Sequence, residues 1–575
     1  MIRMRPFFTV GLLCALLLGG WLWWVKPKKV DMASYAPANS LLYLEANRPL
    51  DVIEALSGTD AWKIIDTVTG HRDVPRQSPW IQGLIGWTGI GPIQSVILAR
   101  VQVAIVVTDF GTTEEGDTLR IRPEGAAIIE THTSENRIRS TVEQALKRLA
   151  EITYGKPTFR KSTIDGIELI QWTAPEGGRQ IVATIVGGLV IVGNTERVVR
   201  NCLAVALHHQ SALKEDPELD RMRLELGGEQ SLTFGYVPSA SSPRLLSTGV
   251  PLIMGQAPID SALQRLIAAS APKVLGSLGW SSRPFKTGME DRYQISLQPA
   301  IVAHLKPDFI ARASNASLSE VLPNGVQSVT YYRFENPAGA LQNLKTAVSS
   351  QIDALSAVVF ASLLKSALLP YGIDEPEKFL EAVNTHLLTM RIDQTSERSM
   401  LIAGVRDQPA LRQLINKGLL KHARSARTGN IDIFEDSEAE TAVAFMGDFV
   451  VMGSPEDVRR YTEPPKTTVA LNDAEWRRIT FFTPISSSAN VLTYTNDGDR
   501  VRSFVSSLLA SQNTQPTASA VLEQMVAGLP YSATETTLGE RGLERTTRSP
   551  LGLFSTLLPL LDPQHNSPPS SAPTK

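Results

Sequence analysis

Apolar and polar residues follow the same order in two stretches of this chain, Ile164–Cys202 and Asn430–Thr462. The first reads D-G-I-E-L-I, then a polar turn, then I-V-A-T-I-V-G-G-L-V-I-V-G-N-T-E-R-V-V-R. The second reads G-N-I-D-I-F, a shorter turn, then T-A-V-A-F-M-G-D-F-V-V-M-G-S-P-E-D-V-R-R. Alternation with a period of two predicts half-buried strands, so each stretch predicts hairpin-linked strands followed by a helix.

Turn and cap residues mark where these elements end. Gly187-Gly188 and Gly447-Asp448 fit two-residue hairpin turns, because glycine adopts a positive φ without a Cβ clash. Asn194 and Ser454 are predicted to accept hydrogen bonds from the amides at the start of the helix that follows.

The rest of the chain predicts an α+β fold with mixed or antiparallel sheets and flanking helices. Ser134–Glu151 is a predicted amphipathic helix, because Ile138, Val142, Leu146 and Leu149 fall on one face. Further strands are predicted at 41–46, 101–108, 125–131, 231–237, 275–281, 291–297 and 329–334, and further helices at 49–56, 60–65 and 259–269.

Several of these features recur in the same order, separated by roughly 250 to 290 residues. The segment 37–46 is echoed at 322–334, 125–151 at 399–420, and Gly288 at Gly539. Recurrence of this kind predicts two tandem, related α+β domains, 37–305 and 321–562, with a junction at 306–320.

The N-terminal segment Phe7–Val25 contains nineteen residues and no charge. As a helix it measures about 28 Å, close to the thickness of a bilayer core. Tryptophans favour the membrane interface, and three of them end the segment: Trp21, Trp23 and Trp24. The segment therefore predicts a single-pass anchor in the cytoplasmic (inner) membrane, with the body extracytoplasmic or periplasmic.

The flanks of this anchor complete the predicted layout. Residues 1–6 form a cytoplasmic stub, 26–36 a tether, and the Pro/Ser-rich residues 563–575 a disordered tail. A cleaved signal peptide is the alternative, with Ala33 and Ala36 offering small residues for cleavage. Cys14 lies inside the apolar run and is predicted to be a membrane-buried thiol.

Composition and charge exclude several classes of protein. The 575 residues are 43% hydrophobic and 20% charged, which is typical of folded domains. Lys plus Arg number 56 and Asp plus Glu 58, a formal net charge of −2, and nucleic-acid binders usually carry a basic excess. With only two cysteines, Cys14 and Cys202, the chain has no disulfide framework.

Candidate chemical groups are few, and no catalytic, cofactor-binding or metal-ligating residue is predicted. His208 and His209 are neighbours on a predicted helix end and point about 100° apart, which favours solvated ends over a metal site. Cys202 is predicted to be a buried small hydrophobe rather than a nucleophile.

Two acidic clusters and one glycosylation motif also occur in the sequence. Glu435, Asp436, Glu438 and Glu440 favour a solvated turn over a calcium site, which needs six or more converging oxygens. The run 496–499, N-D-G-D, predicts a turn and a helix start, because the glutamate that would close a calcium loop is absent. Asn315-Ala316-Ser317 fits a glycosylation acceptor, which matters only in a eukaryotic secretory pathway.

The segment Ala357–Leu369, A-V-V-F-A-S-L-L-K-S-A-L-L, carries one charge in thirteen residues. It is too short to span a bilayer. A helix buried between domains is the favoured interpretation, with a lid over an apolar ligand or a membrane-surface contact as alternatives. Leu551–Leu561 is similarly apolar and is predicted to be core.

Three segments resemble an uncharacterised bacterial family of membrane-anchored proteins, known as a domain of unknown function. They are P-A-N-S-L-L-Y-L-E-A-N at 37–47, D-A-W-K at 60–63 and G-G-L-V-I-V-G-N at 187–194. The resemblance covers Ala36 to about Val302 and implies one N-terminal helix and an envelope location. It supplies no catalytic residues.

The sequence thus favours a non-enzymatic, membrane-tethered extracytoplasmic binding or scaffold protein. Its expected partners are the lipid bilayer, through Phe7–Val25, and an envelope protein; no nucleic acid and no cofactor is expected. A carrier or sensor of an apolar ligand held between the domains is the first alternative, and an envelope hydrolase of unrecognised type is the second.

Overall fold

The computed structural model describes part of the chain. The described residues are 29–68, 100–115, 118–164, 166–245, 269–311, 321–366, 368–393, 396, 399–418, 424–428, 431–436, 440–462, 471–483, 488–511 and 518–553. The predicted anchor Phe7–Val25, the stub, Cys14, the predicted helix 259–269 up to residue 268, the glycosylation motif and the tail lie outside these residues.

Strands make up much of the described chain. They are β1 Leu42–Ala46, β2 Gln102–Glu115, β3 Thr118–Glu130, β4 Thr158–Ile164, β5 Ile167–Thr173, β6 Gln180–Val186, β7 Leu189–Gly193, β8 Thr233–Val237, β9 Leu275–Phe285, β10 Gly288–Leu297, β11 Ser328–Tyr332, β12 Val383–Arg391, β13 Met400–Val405, β14 Arg424–Thr428, β15 Ile431–Asp436, β16 Thr441–Met446, β17 Phe449–Gly453, β18 Val491–Thr495, β19 Ser532–Leu538 and β20 Gly542–Ser549.

Helices accompany the strands along the whole described chain. They are α1 Pro49–Ser57, α2 Asp60–Val68, α3 Glu135–Tyr154, α4 Glu196–Ala206, α5 Pro217–Glu225, α6 Pro299–Leu305, α7 Pro337–Ser349, α8 Ala354–Ser366, α9 Pro376–Ala382, α10 Gln408–Gly418, α11 Pro455–Thr462, α12 Asp473–Thr480, α13 Gly498–Ser511 and α14 Ala518–Ala527. Helices and antiparallel sheet together confirm the α+β class.

The chain divides into two compact units. The first comprises residues 1–38, 43–50 and 80–216, and the second comprises 39–42, 51–79 and 217–575. This division reflects compactness alone. The predicted domain boundaries, drawn from sequence echoes at 37–305, 306–320 and 321–562, stay a prediction.

In the first unit the sheet order is β1-β2-β3-β7-β6-β5-β4, and the pairs from β2 to β4 are antiparallel. Helix α3 packs on β5 and β6 through Leu146 and Ala150, which meet Ile170 and Trp172 in one buried cluster. Ile138 contributes to a second cluster on the same side of the sheet. The face predicted for α3 is therefore the face that is buried.

In the second unit the sheet order is β8-β9-β10-β20-β19-β18-β11-β12-β13-β17-β16-β15-β14, and each of these pairs is antiparallel. Its main apolar cluster contains Phe482, Tyr494 and Tyr531, each fully buried. Tyr531 places its hydroxyl 2.8 Å from both the Val326 carbonyl and a carboxylate oxygen of Glu475. Burial of this aromatic group therefore leaves its polar atom satisfied.

Strand order repeats between two parts of the chain. The first unit runs β1-β2-β3-β7-β6-β5-β4, and the second contains β11-β12-β13-β17-β16-β15-β14. Hairpins β8-β9-β10 and β18-β19-β20 also share one order.

Close contacts between β10 and β20 follow the same correspondence. A Cβ atom added to Gly288 would lie 2.3 Å from the Ser549 carbonyl oxygen, and one added to Gly542 would lie 2.1 Å from that of Ile295. The two contacts are mirrored across the strand pair, so Gly288 and Gly542 stand at equivalent register positions of β10 and β20.

Backbone angles and hydrogen bonds decide the turn and cap predictions. Gly187 and Gly447 have φ of 59° and 56° in two-residue turns, as predicted. Ser454 Oγ accepts the Asp457 amide at 3.2 Å, which confirms that cap. The Asn194 cap was wrong: Thr195 caps α4, because Asn194 instead bonds the Gly125 amide at 3.0 Å.

The predicted tether is folded over its second half. Met32–Tyr35 forms a 3₁₀ helix, and Met32, Ala33 and Ala36 are fully buried. The Ala36 carbonyl accepts the Leu213 amide at 2.8 Å. Residues 30–36 are therefore part of the first unit, because their apolar side chains find a buried site that the sequence pattern did not reveal.

Candidate functional site: an exposed apolar helix

Helix α8 begins and ends at residues that suit a helix terminus. The Asp353 carboxylate accepts the Ser356 amide at 3.0 Å, which satisfies one amide of the first turn. The Ser356 hydroxyl donates to the same carboxylate at 2.6 Å, and this hydrogen bond and the one from the amide lower the pKa of Asp353. After the helix, a 3₁₀ turn at Leu369–Tyr371 leads to Gly372, which has a left-handed φ of 73°. Alanine and leucine fill the interior and favour the helical state.

Most of α8 is exposed, although its side chains are largely apolar. Leu355 is 66% exposed, Val358 67% and Leu363 53%. Ser356 is its buried residue. The favoured interpretation of Ala357–Leu369 as a buried helix is therefore wrong: α8 packs on α7 and on the 3₁₀ turn, and these contacts cover one side.

By length and composition, Ala354–Tyr371 is the one candidate for a membrane-crossing helix within the described residues, and 6% of it is buried. The α-helical part covers thirteen residues. At about 1.5 Å per residue this part is about 20 Å long, shorter than a bilayer core of about 30 Å. Its dimensions suit a helix that lies on a surface.

A cleft of about 460 Å³ lies beside α8. Leu341, Ala361 and Leu364 give it an apolar wall, and the rest of its lining includes three lysines, Lys345, Lys365 and Lys378, and three acids, Asp374, Glu375 and Glu377. Lys345 lies 3.3 Å from Glu377. A backbone hydrogen bond and the charges of Lys345 and Lys365 outweigh burial and lower the pKa of Glu377.

The arrangement of this cleft has a chemical consequence. An apolar wall next to charged groups can hold an aliphatic chain and a polar or charged head at the same time. The exposed helix and the cleft together form one amphipathic region of the second unit, which we call the α8 region (α8 with the lining of the cleft).

A polar cluster in the first unit surrounds the docked N-terminal segment. Gln102 is 2% exposed; its amide nitrogen donates to the Val30 carbonyl and to Asn47 Oδ1, both at 2.9 Å. Its oxygen accepts the Val30 amide at 2.8 Å and lies 3.1 Å from His132 Nε2. The Glu130 carboxylate accepts the His132 amide at 2.9 Å. One glutamine thus satisfies both backbone groups of Val30.

A buried charge cluster in the second unit was not predicted either. Glu290 is fully buried and is surrounded by Arg283, Arg292 and Arg548. Burial alone would raise the pKa of Glu290, but hydrogen bonds from Arg548 and Arg292 and the nearby charges lower it. Asp291, next in the chain, is also fully buried.

The pKa of Asp291 shifts in the opposite direction to that of Glu290. Its carboxylate accepts the Trp280 Nε1–H at 3.1 Å and the Leu553 amide at 2.8 Å. Burial raises the pKa of Asp291 to about 6, against the effect of these hydrogen bonds. The sequence around Glu290 and Asp291 does not indicate either pKa shift. The three arginines around Glu290 come from three different strands, β9, β10 and β20, which only the folded sheet brings together.

The two adjacent histidines lie at the surface, and Cys202 lies in the core of the first unit. His208 and His209 are exposed at the end of α4, and their amides donate to carbonyls of the last helical turn at 2.9 and 2.8 Å. Cys202 is fully buried, and burial raises the pKa of its thiol to about 12. The predicted exposure of the two histidines and the predicted burial of Cys202 are confirmed.

The acidic clusters do not converge in the described chain. Glu435 pairs with Arg459, and Glu438 lies outside the described residues. The predicted solvated turn is wrong for Asp436, which is buried because it still pairs in the sheet as the last residue of β15. At 496–499 the Asn496 side chain accepts the Gly498 amide at 3.1 Å, directly at the start of α13, as predicted. No group of three or more potential metal ligands occurs among the described residues.

Known proteins offer little for comparison with this chain. No family model and no curated protein matches the chain. One solved structure, described as crystal form IV of TP0453, matches 47% of this chain and 81% of its own at 10% identity, with a TM-score of 0.22. The family resemblance at 37–47, 60–63 and 187–194 therefore stays a prediction.

Proposed function

We propose that this chain is a membrane-tethered, extracytoplasmic binding protein without catalytic activity, and that helix α8 is the surface that contacts the lipid bilayer. The observation that carries the proposal is the exposed apolar face of α8. Leu355, Val358 and Leu363 are each more than half exposed. A single cation, Lys365, interrupts the apolar composition.

The free energy gained by burying the exposed apolar side chains of α8 supports a lipid bilayer as its partner. Fully burying a large aliphatic side chain is worth about 1.5–3 kcal/mol, so the half-exposed residues of α8 gain on the order of 1 kcal/mol each. Such a helix binds weakly by itself. The predicted anchor Phe7–Val25 would hold it beside the membrane, and the high effective concentration makes weak contacts sufficient.

We also propose that the chain contains two copies of one ancestral module. The shared strand orders and the mirrored glycine contacts of β10 and β20 support one ancestral module used twice. Helix α8 follows β11 and α7 in the second module, where α2 follows β1 and α1 in the first. Specialisation of one module for binding would explain why α8 is apolar on its outer side.

Site-specific quenching in vesicles tests the membrane contact. The full chain with Cys14→Ser is labelled at Val358→Cys with an environment-sensitive dye and reconstituted with brominated lipids. Cys202 stays unlabelled because it is buried. The matched control is Val521→Cys on α14, where the valine is 49% exposed.

Strong quenching at position 358 and little at position 521 is the expected result. Leu355→Glu should remove the quenching at 358 without changing the unfolding midpoint, because the side chain is exposed. Equal quenching at both labels, or none at 358 while the protein remains in the vesicles, overturns the proposal.

The cleft beside α8 favours a second candidate, a carrier of a single amphiphile. Its apolar wall suits an aliphatic chain, and Lys365 offers an ammonium group to an anionic head, whereas Lys345 is already paired with Glu377. Native mass spectrometry of the chain released from vesicles would show a stoichiometric lipid adduct. Lys365→Glu should then abolish the adduct while leaving the quenching at position 358 intact.

A further inference from the structure

We infer that residues Val30–Ala36 form a docked stalk that holds one end of the first unit's sheet directly against the lipid headgroups. This inference rests on the proposed membrane anchor. It adds a second contact surface, distant in sequence from α8, and it names the partner as the headgroup layer.

The docking of the stalk is extensive. Gln102 bonds both the amide and the carbonyl of Val30, at 2.8 and 2.9 Å. Met32 and Ala33 are fully buried. Further along, the Ala38 amide donates to the Ser211 carbonyl at 3.1 Å. A segment with this many satisfied backbone groups and buried side chains is not a loose linker.

The length of the remaining connection limits where the unit can lie. Val25 ends the predicted anchor, and Val30 is the first clamped residue. Five residues reach at most about 17 Å when fully extended. The docked end of the sheet therefore cannot move far from the bilayer surface.

The topology identifies which end of the sheet this is. Gln102 begins β2, while Asn47 directly follows β1 and His132 follows β3 closely. All three contact the same glutamine or Val30, so one sheet end carries the stalk. The β6–β7 turn lies at this end too, because the Thr131 amide donates to Gly188 at 3.0 Å.

Charge favours a headgroup layer as the partner of this end. Lys26, Lys28 and Lys29 lie in the short connection. Clusters of lysines beside a membrane helix attract anionic lipids, at about 1 kcal/mol for each residue near the surface. The lysines and the docked stalk together would fix both the height and the orientation of the unit.

Limited trypsin digestion of the full chain in vesicles tests the clamp. The fragment that begins at Val30 reports cleavage after Lys29. We expect this cleavage to be at least tenfold faster in Gln102→Ala than in the wild type. Gln171→Ala is the matched control, since that glutamine bonds Gln180 at 2.5 Å within the same unit but does not contact the stalk.

Dyes at two positions test the orientation. Asn136→Cys is exposed just after His132, whereas Glu176→Cys lies in the β5–β6 turn at the opposite end of the sheet. Strand β6 alone separates the two ends by about 20 Å, at about 3.3 Å per residue. In the Cys14→Ser background, a spin label on the lipid headgroup should quench the fluorescence of the dye at position 136 at least twice as strongly as that of the dye at position 176.

Inserting twenty Gly/Ser residues between Lys28 and Lys29 should equalise the two signals. Equal quenching without the insertion, or equal cleavage after Lys29 in all variants, overturns the stalk. Failure of the chain to remain with the vesicles would instead overturn the proposed anchor, so the two failures are distinguishable.

Discussion

Arg548 donates its Nε–H to a carboxylate oxygen of Glu290 at 2.8 Å, joining residues 258 positions apart in the chain. The pair spans β10 and β20, whose register places Glu290 opposite Arg548. Strand pairing alone brings these two residues together. The buried carboxylate therefore depends on correct assembly of the whole second unit.

Glu290→Gln should destabilise the second unit by about 3 kcal/mol, because removing one partner of a buried charge cluster leaves the remaining charges uncompensated. Urea unfolding of the full chain, followed by tryptophan fluorescence, measures the midpoint shift. Glu523→Gln is the control: its partner Arg502 is one-third exposed and Glu523 is half exposed, so the midpoint should hardly change. An equal shift in both variants would contradict this account.

The pH dependence of Glu290 follows from the direction of its shift. A pKa below the ordinary value in the folded state means that the carboxylate stabilises the protein above about pH 4.5. That stabilisation is lost as the pH falls through the folded pKa. Wild type should therefore lose stability below about pH 4.5 more steeply than Glu290→Gln.

Asp291 should give a slope of the opposite sign. Its folded pKa of about 6 lies above the ordinary 3.8, so the folded state binds the extra proton between these values. Its contribution to stability is complete below about pH 3.8 and is lost as the pH rises through 6. At one pKa unit per 1.36 kcal/mol, the change is at most about 3 kcal/mol.

The measurement is the unfolding midpoint from pH 4 to pH 7. Asp291→Asn should lack the wild-type decline across this range, whereas Asp220→Asn, an exposed aspartate on α5, should retain it. A decline of the same size in Asp291→Asn would show that another group is responsible.

Gly288→Ala should destabilise the β10–β20 pair by about 2–3 kcal/mol, because the new Cβ would meet a backbone carbonyl that cannot rotate away. The distance to the Ser549 oxygen would be 2.3 Å. Gly528→Ala is a matched control, since its nearest atom would be 3.4 Å away. Thermal unfolding of both variants distinguishes steric overlap from a general effect of adding a methyl group.

Exposure on α8 predicts tolerance to polar substitution. Val358→Ser should change the free energy of unfolding by no more than about 0.5 kcal/mol, as for most surface positions. Leu492→Ala, in the buried cluster of the second unit, should cost about 2–5 kcal/mol. A large loss in Val358→Ser would mean that another part of the protein covers the helix.

Local features were largely predictable because they depend on neighbours in sequence. The α3 face, the Gly187 and Gly447 turns and the Ser454 cap all follow from side-chain spacing or from one residue's backbone freedom. The Asn194 cap failed by one position because the side chain had a competing partner, Gly125, 69 residues away. Sequence patterns cannot rank such distant partners.

The candidate site was only partly predictable. The composition of Ala357–Leu369 is unusual, and a membrane contact is one interpretation of it. Its exposure was not predicted, because an apolar helix has the same composition whether or not another element covers it. Gln102 gave no signal either, since a lone glutamine at a strand start is ordinary until Val30 docks on it.

By itself, the sequence determined the α+β class, most element positions and the buried faces of amphipathic elements, because hydrophobic period and turn chemistry act over a few residues. Only the tertiary structure decided which elements became neighbours. It exposed α8, docked the predicted tether and gathered three arginines around Glu290, since burial and charge pairing depend on chain segments that the sequence keeps far apart.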